Sequence, residues 1–368
     1  MLKWALVRAG HQGLAGTVLK TCKRKVLSVS RSAGLLDAVA VSRWRRQRLL
    51  ILCYHGIAVH DERDWNSQLY ISAAELAQRM ELLRRHEANV IPLDEGVRRL
   101  REGTLPPRSV AITVDDGGYD CHREAWPVFR RFGYPFTVYL TTYYCGYNRP
   151  IFPLICYYLL WKGRSRPLDC RGVPGLDDAT VELEPFAARR VVELKLLRYV
   201  AENDPSTPAK EDLARRLADR LGVDYEDVVK RRLFQIMNPD EVREMAAAGV
   251  DFQLHTHRHR TPLDRGLFVR EIVENRERIH SLTGVQPRHF CYPCGFHRAE
   301  FLPWLEAEGV VSATTCESGM ATPRSHPLLL PRLTDHPELA PVEFEAWLSG
   351  AAGFLPRRKS PASEGIPA

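Results

Sequence analysis

The chain has 368 residues, of which 45% are hydrophobic, 26% charged and 9% aromatic. This composition is typical of a folded globular protein rather than a disordered chain. The longest apolar run, residues 151–161, is far shorter than the ~20 residues that span a bilayer. The net charge of +7 is unevenly placed, because residues 1–50 contain eleven Lys and Arg but one acidic residue, Asp37.

Residues 1–48 are predicted to be a basic, amphipathic N-terminal extension. Such a segment could lie on an anionic membrane surface or could be a solvated helical extension, and both interpretations stay open here. Nucleic acid is not expected as a partner, since no aromatic platform or reading motif accompanies the charge. The apolar stretch 35–41 is interrupted by Asp37 and does not resemble a secretory signal. We therefore expect a cytoplasmic protein, peripheral on the inner face of the membrane if the extension binds lipid.

From residue 49 the chain alternates short apolar strands with longer periodic helices, which is the pattern of a parallel α/β fold. One helix should begin at the capping box Ser72 to Glu75. The other predicted helices in this alternation cover residues 121–132, 239–248, 267–282 and 299–308. The predicted strands cover residues 49–54, 109–114, 135–140, 250–254, 289–292, 311–315 and 328–332.

Seven strands with intervening helices predict an α/β fold of the distorted (β/α)7-type barrel class over residues 49–345, with functional residues in the loops after the strands. An open doubly wound sheet is the alternative, but no Gly-x-Gly-x-x-Gly follows the first strand.

Two segments depart from the alternation. Residues 146–236 are a predicted helical insertion, with charged helical stretches near 185–201 and 208–221. The insertion could cap the site or be a packed excursion, and we favour the cap because barrel loops often carry function. Residues 346–368 are predicted to be a disordered tail, most clearly from Pro356 onward.

The first motif with chemical meaning is residues 113–117, in which Asp115 and Asp116 end an apolar strand and precede two glycines. Adjacent carboxylates repel one another, so they persist most easily where a metal ion or a proton is shared. An ordinary turn is the competing interpretation of this motif taken alone.

The second motif is residues 255–259, which hold three histidines directly after a predicted strand. Neutral imidazoles suit Zn²⁺ and related metals, and the spacing of four lets His255 and His259 converge on one ion. His257, between them, is not expected to be a ligand. A solvated basic loop is the alternative.

The third motif is residues 290–295, where a strand gives way to a turn containing Pro293 and Gly295. Such a turn can point backbone N–H groups into a site, and Tyr292 and Cys294 are candidates for contact with substrate or oxyanion. The nine cysteines of the chain are scattered, which predicts reduced thiols rather than a disulfide framework.

Together these motifs resemble the polysaccharide deacetylase family, the carbohydrate esterases that deacetylate chitin-like oligosaccharides, peptidoglycan and exopolysaccharides. The family's Thr-Phe-Asp-Asp-Gly motif corresponds to residues 113–117, with Val114 in place of Phe. Its His-(Ser/Thr)-x-x-His motif is complete at residues 255–259. The resemblance covers about residues 49–145 and 237–333.

The resemblance implies that Asp115 is the general base and that one divalent ion, Zn²⁺ with Co²⁺ or Mn²⁺ as alternatives, is held by a set of three side chains. These metal ligands are Asp116, His255 and His259. A site with three protein ligands leaves room for a water molecule and the acyl oxygen. A backbone N–H near Cys294 would help to stabilise the oxyanion.

The chain departs from the family pattern at two places. The third family motif begins Arg-Pro-Pro-(Tyr/Trp)-Gly, but here Cys291 occupies the Arg position and Cys294 the aromatic one. Arg332, at the end of a predicted strand, could supply a substitute guanidinium, although a structural Arg is equally compatible with the sequence.

The family's final Leu-x-His-Asp motif, which carries the general acid, is also missing near the C-terminus. His55 ends the apolar first strand, and the first and last strands of a closed barrel are neighbours. We therefore expect His55 to be the general acid, acting from a position opposite Asp115, ahead of His326 and His336.

These expectations define a metal-dependent hydrolase that removes an N-acetyl or other N-acyl group from amino sugars of a cell-surface polysaccharide or its lipid-linked precursor. The partner would be an N-acylated amino-sugar glycan. One alternative is a deformylase or deacylase of a lipid-phosphate-linked amino sugar at the membrane. Another is a catalytically silent carbohydrate-binding scaffold.

Overall fold

The structure, a computed structural model, describes residues 14–355, and it contains a closed barrel of seven parallel strands. The first strand pairs with both the second and the last, which closes the barrel. The seven-stranded barrel predicted from the sequence is therefore confirmed. In chain order the strands are β1 (Leu50–Tyr54), β2 (Ser109–Val114), β3 (Thr137–Leu140), β4 (Asp251–Leu254), β5 (His289–Cys291), β6 (Ser312–Ser318) and β7 (Leu330–Thr334).

The strands are apolar on both faces because one face lines the barrel interior and the other lies beneath helices. All residues of β1 and β2 are buried. Side chains alternate along a strand, so Ile51 and Ala111 pack together in the barrel core, whereas Leu50 and Leu52 pack in the larger outer cluster. The same alternation directs Cys53 and Asp115 toward the interior at the carboxyl end of the barrel.

Helices surround the barrel between its strands. Ser72 accepts a hydrogen bond from the Glu75 backbone N–H, and the Glu75 carboxylate accepts one from the Ser72 N–H, so the predicted capping box is present. The helices that surround or close the barrel are Ala73–Arg85, Leu93–Glu102, Trp126–Phe132, Pro239–Ala247, Arg265–Thr283, Phe301–Ala307 and Pro341–Ser349. Three short strands, Gly56–Ala58, Tyr70–Ser72 and Asn89–Val90, lie in the first loops.

The insertion has a hydrophobic core of its own. It enters and leaves the barrel at adjacent points, since the Ile151 N–H donates to the Phe234 carbonyl and Gly118 pairs with Ile236. This arrangement holds the insertion against the loop that follows β2. Its elements are the helices Phe152–Lys162, Phe186–Asn203, Thr207–Leu221 and Tyr225–Lys230 and the strand pair Leu168–Asp169 and Thr180–Val181.

The N-terminal region contains the helices Leu14–Ser32, Leu35–Ala40 and Arg43–Arg46, and its described part packs on the last helix. Arg24 and Arg31 pair with Glu343 and Glu345, in each case at 2.9 Å. Arg45 is fully buried and donates to the carbonyls of Leu348, Arg48 and Ser109. Some of the basic side chains of this segment therefore stabilise its packing on the barrel. None of the helices within residues 14–355 is long and apolar enough to cross a membrane.

The start of the predicted tail differs from expectation. Residues 346–349 belong to the helix Pro341–Ser349, and Ala346, Trp347 and Leu348 are buried beneath the N-terminal helices. Their apolar side chains explain why this stretch folds onto the barrel. A short 3-10 helix, Ala351–Phe354, follows it. Residues 356–368 of the predicted tail lie outside the described residues, as do residues 1–13.

Candidate metal centre and active site

The side chains that the motifs singled out follow β2, β4 and β5, where these strands end at the same rim of the barrel. Several of their backbones adopt the left-handed region, which residues other than glycine rarely occupy. The φ angles are 70° at Asp116, 62° at Thr256, 54° at His259 and 55° at Cys294. Such conformations persist where the surroundings enforce them, and they concentrate at functional sites.

The predicted metal ligands lie together and are buried. Asp116 Oδ1 is 3.1 Å from His255 Nε2 and 3.2 Å from His259 Nε2. The ligand atoms of the three residues all lie within 4.8 Å of one another. One carboxylate oxygen facing two imidazole nitrogens at these separations is a donor set that fits a divalent ion of the zinc type. The structure thus assembles the predicted set, while its metal content stays a prediction.

Interactions behind the ligands orient them. His255 Nδ1 lies 2.9 Å from the Cys291 carbonyl oxygen, which requires the proton on Nδ1 and leaves Nε2 as the nitrogen that faces Asp116. The His255 backbone N–H donates to Asn275 Oδ1 at 2.9 Å. The Asn275 amide in turn donates to the Leu140 carbonyl and to Thr142. This fully buried asparagine therefore links the histidine loop to the end of β3.

The histidine loop is also held by Glu271, whose side chain is buried. Glu271 accepts hydrogen bonds from the Arg258 backbone N–H at 2.7 Å and from the Arg260 guanidinium at 2.7 Å. The middle histidine, His257, contacts Thr142 Oγ1 through Nδ1 at 2.8 Å, and the ligand atoms that converge with Asp116 are those of His255 and His259. Its position agrees with the expectation that it is not a ligand.

Asp115 and Arg332 form a fully buried ion pair at the barrel axis. Arg332 donates from Nη1 to Asp115 Oδ1 and from Nη2 to Asp115 Oδ2, both at 2.7 Å. Further hydrogen bonds run from Arg332 to Thr113 Oγ1, the Thr315 carbonyl and Cys291 Sγ. Cys291, which stands at the Arg position of the family motif, points to the same Asp115 carboxylate at 3.4 Å. Arg332 therefore places a guanidinium where the family's Arg would lie, as the sequence suggested.

Two opposed effects act on the Asp115 carboxyl. Burial by itself would raise its pKa, but the charge and hydrogen bonds of Arg332 outweigh burial, and the pKa lies well below its usual range. Asp115 therefore stays ionised at every pH near neutrality.

His55 also lies at the site. Its Nε2 is 3.6 Å from Asp115 Oδ2, and the side chain retains 19% of its exposure. The ring stands beside Asp115, so the structure does not show the position across from the base that we expected of a general acid. The alternative His326 accepts a hydrogen bond from the Leu328 N–H in the turn before β7, and His336 follows Asp335 after that strand.

The turn after β5 agrees with prediction only in part. Cys294 is exposed, and its left-handed backbone forms the sharp bend that the motif predicted. Tyr292, expected to contact substrate or oxyanion, is instead fully buried and packs edge-on against Phe290. The period of two along the strand explains the difference: Cys291 faces the interior, so its neighbours face the surrounding helices. Contact between the Tyr292 side chain and substrate is therefore not supported.

A small cavity of about 30 Å³ opens beside Asp115 and Asp116. The insertion contributes part of its wall, through apolar side chains that include Leu154 and Phe234. This contact supports the interpretation of the insertion as a cap, which stays a prediction. Asp120 also lines the cavity and accepts a hydrogen bond from the Ile57 N–H at 2.5 Å. Burial raises the pKa of Asp120 to about 7.

Comparison with known structures first defines the class of the fold. The structure resembles a Streptococcus pyogenes deacetylase, PplD, in complex with acetate, with a TM-score of 0.52 and 15% identity over 80% of this chain and 96% of that one. IcaB from Ammonifex degensii gives 0.52 and 19% identity over 82% and 97% of the two chains. A de-N-acetylase from Aggregatibacter actinomycetemcomitans gives 0.50 and 14% over 82% and 99%. At these identities the likeness concerns the barrel fold.

A sequence comparison then adds a match to one protein family over part of the chain. A family model described as polysaccharide deacetylase matches residues 215–312, which include His255, His259 and the turn after β5. No curated protein matches the chain in sequence. The resemblance to the polysaccharide deacetylase family that the motifs predicted is thereby confirmed over residues 215–312, and it supports an N-deacetylase activity on polysaccharides.

Sequence reasoning missed the residues that support the site from a distance. Glu271 and Asn275 lie four positions apart on the buried face of the helix Arg265–Thr283, beside the apolar Phe268 and Ile272. Two polar residues within an apolar helical stripe were a usable signal, because buried polar groups need partners. The thiol of Cys53, near Asp115, carried no comparable signal.

Proposed function

We propose that this chain is a divalent-metal-dependent hydrolase that removes an N-acetyl or related N-acyl group from amino sugars. The main support for this proposal is that a potential metal-ligand set and a buried ion pair lie side by side at one rim of the barrel. The ligand set is Asp116, His255 and His259, and the ion pair is Asp115 with Arg332. Amide hydrolysis needs an activated water, a polarised carbonyl and a proton for the leaving amine. The residues at this rim can meet each need.

The donor set suits Zn²⁺, Co²⁺ or Mn²⁺, with Zn²⁺ favoured by its two imidazoles. When bound, such an ion would polarise the acyl carbonyl and lower the pKa of a water molecule. The chain contributes the orientation of the ligands, because His255 is fixed in one tautomer by the Cys291 carbonyl and Asn275 holds its backbone.

Asp115 is the proposed general base. Its low pKa keeps the carboxylate ionised, and Arg332 fixes both oxygens so that the carboxylate cannot rotate away from the rim. Oδ2 also has His55 and the thiols of Cys53 and Cys291 as neighbours. A backbone N–H at the exposed turn of Cys294 would donate to the developing oxyanion.

His55 is the proposed general acid. After Asp115 takes a proton from water, the Nε2 of His55 at 3.6 Å is near enough to receive it with a small rotation of the ring and to pass it to the departing amine. This assignment differs in detail from an acid that stands across the substrate from the base. It makes His55 a proton carrier between Asp115 and the leaving group.

The substrate is proposed to be a cell-surface polysaccharide or its lipid-linked precursor. The N-terminal helices carry exposed apolar side chains, Val26 at 56%, Val29 at 69% and Leu35 at 55% exposure, next to the exposed Lys25. Apolar residues beside basic ones suit the surface of an anionic membrane. This surface favours a lipid-linked amino sugar, acetylated or formylated, and a peripheral location on the cytoplasmic face of the membrane.

A substrate panel tests the proposal. Purified full-length protein reconstituted with Zn²⁺, Co²⁺ or Mn²⁺ is incubated with N-acetylated oligosaccharides, with N-acetylated or N-formylated lipid-linked monosaccharides, and with the same lipids bearing no acyl group. Release of acetate or formate with an equal amount of free amine is expected from one class. Glycan binding without release from any substrate or metal would instead support the catalytically silent scaffold.

A further inference from the structure

A second group of potential metal ligands lies beside the proposed centre, in the barrel interior. Cys53 Sγ is 3.6 Å from Asp115 Oδ2 and 3.8 Å from His55 Nδ1. His55 Nε2 is 3.6 Å from the same Asp115 oxygen. One ligand atom from each residue can be chosen so that all three lie within 4.8 Å of one another.

These separations are close to those of an occupied zinc site. Zinc–sulfur bonds of about 2.3 Å and zinc–nitrogen or zinc–oxygen bonds of about 2.0–2.2 Å at tetrahedral angles place ligand atoms about 3.4–3.6 Å apart. The two contacts of His55 use different ring nitrogens, so a modest turn of the imidazole would direct one nitrogen to the ion. The 19% exposure of the His55 side chain leaves a route from solvent.

A third group of potential ligands, Asp115 with His255 and Cys291, is less suited to an ion. Both nitrogens of His255 already have roles, Nδ1 toward the Cys291 carbonyl and Nε2 toward Asp116. The Cys291 sulfur accepts a hydrogen bond from Arg332 at 3.1 Å. Cys53 has no such bond from a cation among the hydrogen bonds of the described residues. Its neighbour His55 does not belong to the ligand set of Asp116, His255 and His259.

We propose that Cys53, His55 and Asp115 form a second, inhibitory site for a thiophilic divalent cation such as Zn²⁺ or Co²⁺. Binding forms a metal–sulfur bond and releases the Cys53 thiol proton to solvent. The thiolate and the Asp115 carboxylate supply two negative charges beside the ion and the Arg332 guanidinium, and a carboxylate oxygen has acceptor capacity for both Arg332 and a metal. The inhibitory effect rests on the proposed function, because the ion would occupy the general base and the general acid. The binding of the ion to this site does not depend on that function.

The choice of metal follows from the ligands. Thiolate and imidazole favour zinc and cobalt, whereas Mn²⁺ prefers carboxylate and water oxygens. Excess Zn²⁺ should therefore inhibit the enzyme, and excess Mn²⁺ should not.

The experiment titrates the metal-free full-length protein with Co²⁺ under anaerobic conditions and records the near-ultraviolet thiolate-to-cobalt band together with the bound equivalents. We expect two equivalents, with the band belonging to one of them. Cys53→Ala should bind one equivalent and lose the band. His259→Ala, which removes a ligand of the proposed centre only, should keep the band.

Matched cysteine variants complete the design. Cys291→Ala, whose thiol is equally near Asp115, and Cys22→Ala, whose thiol is exposed, should both retain the band. His55→Ala keeps the Cys53 thiol and should still weaken cobalt binding at least tenfold, which guards against misfolding of the Cys53 variant. Persistence of the band in Cys53→Ala, its loss in Cys291→Ala, or binding of a single equivalent by the unaltered protein would overturn the proposal.

An activity arm separates the two proposals. In the unaltered protein a second equivalent of Zn²⁺ should lower turnover at least tenfold, and in Cys53→Ala it should not. A cobalt band that depends on Cys53 in a protein without any deacylase activity would support the second site and contradict the proposed function.

Discussion

Removing the Arg332 guanidinium should destabilise the fold and disturb the base together. Arg332→Met leaves the Asp115 carboxylate buried with no cation and leaves Thr113 and the Thr315 carbonyl without their donor. Breaking a buried ion pair by removing one partner costs about 3–5 kcal/mol. The five hydrogen bonds of Arg332 place the expected loss in the upper half of that range. Chemical denaturation at pH 7 measures it, with the exposed Arg324→Met as the matched control.

The pH dependence of this loss identifies its origin. In the unaltered protein the pKa of Asp115 is lowered on folding, so the pair contributes stability above the unfolded pKa of about 4, and this contribution fades as the pH falls further. In Arg332→Met the cation that outweighs burial is gone, and the pKa should rise because burial is then opposed only by His55 and His255. The stability difference between the two proteins should therefore be largest at neutral pH and should shrink toward pH 4 as Asp115 becomes protonated.

The activity of the Arg332 variants should follow the same logic. The acid limb of kcat/KM should move to higher pH in Arg332→Met, because the base is protonated earlier. Arg332→Lys keeps the charge but cannot bridge both carboxylate oxygens, so its loss should be intermediate. The double variant Cys291→Arg/Arg332→Cys, which exchanges two touching side chains, should recover part of the stability and of the pH profile. An Arg332→Met protein with unchanged stability and an unchanged profile would refute the role of the pair.

The ligand variants Asp116→Ala, His255→Ala and His259→Ala should each lose stoichiometric metal at the primary site, measured by elemental analysis, whereas His257→Ala should keep it. Full occupancy in all three ligand variants would rule out the site. Asp115→Asn should keep the primary metal and lose about 10²–10⁴-fold in turnover, since an amide cannot accept the proton; near-normal turnover would exclude it as the base. His55→Gln should keep the primary metal, lose at least tenfold in kcat and lose the alkaline limb of the pH–rate profile; an unchanged profile would transfer the role to another histidine. Val26→Glu/Val29→Glu should weaken binding to anionic vesicles, and binding of the unaltered protein should fall with salt; equal, salt-independent partitioning of both proteins would leave the segment a structural extension.

The last of these tests uses substitutions because the structure argues against a simple deletion. Each basic residue close to an anionic surface is worth about 1 kcal/mol, so truncation would be the larger perturbation. However, deletion of residues 1–48 would also remove Arg45, which is fully buried and bonded to three backbone carbonyls. A truncated chain could therefore lose its fold as well as its membrane contact.

The barrel was predictable because its strands are short and apolar and alternate with periodic helices outside the insertion. The proposed metal ligands could also be predicted from the sequence, since His255 and His259 share one local motif and Asp116 lies in another. In these cases the residues that act together are close in sequence or sit at equivalent strand ends. Local pattern and spacing carry that information.

Other features depend on contacts that no local pattern encodes. Arg332 meets Asp115 across 217 positions, and the choice between a site residue and a structural Arg required the closed barrel. The expectation for Tyr292 was wrong in orientation, because a shift of one position along a strand reverses the face on which a side chain lies. Residues 346–349 were expected to belong to a disordered tail, but they are helical, and their apolar side chains are covered by N-terminal helices that are distant in sequence.

The central claim is that this site hydrolyses an N-acyl amino sugar with the help of a bound metal ion. The most direct measurement compares metal-free protein with the same sample after addition of one equivalent of Zn²⁺, Co²⁺ or Mn²⁺, and quantifies free amine and carboxylate released from the best substrate of the panel. We predict equal amounts of both products, turnover that appears with the metal and disappears with a chelator, and no turnover in Asp115→Asn. Equal rates with and without metal, or release that survives in Asp115→Asn, would contradict it.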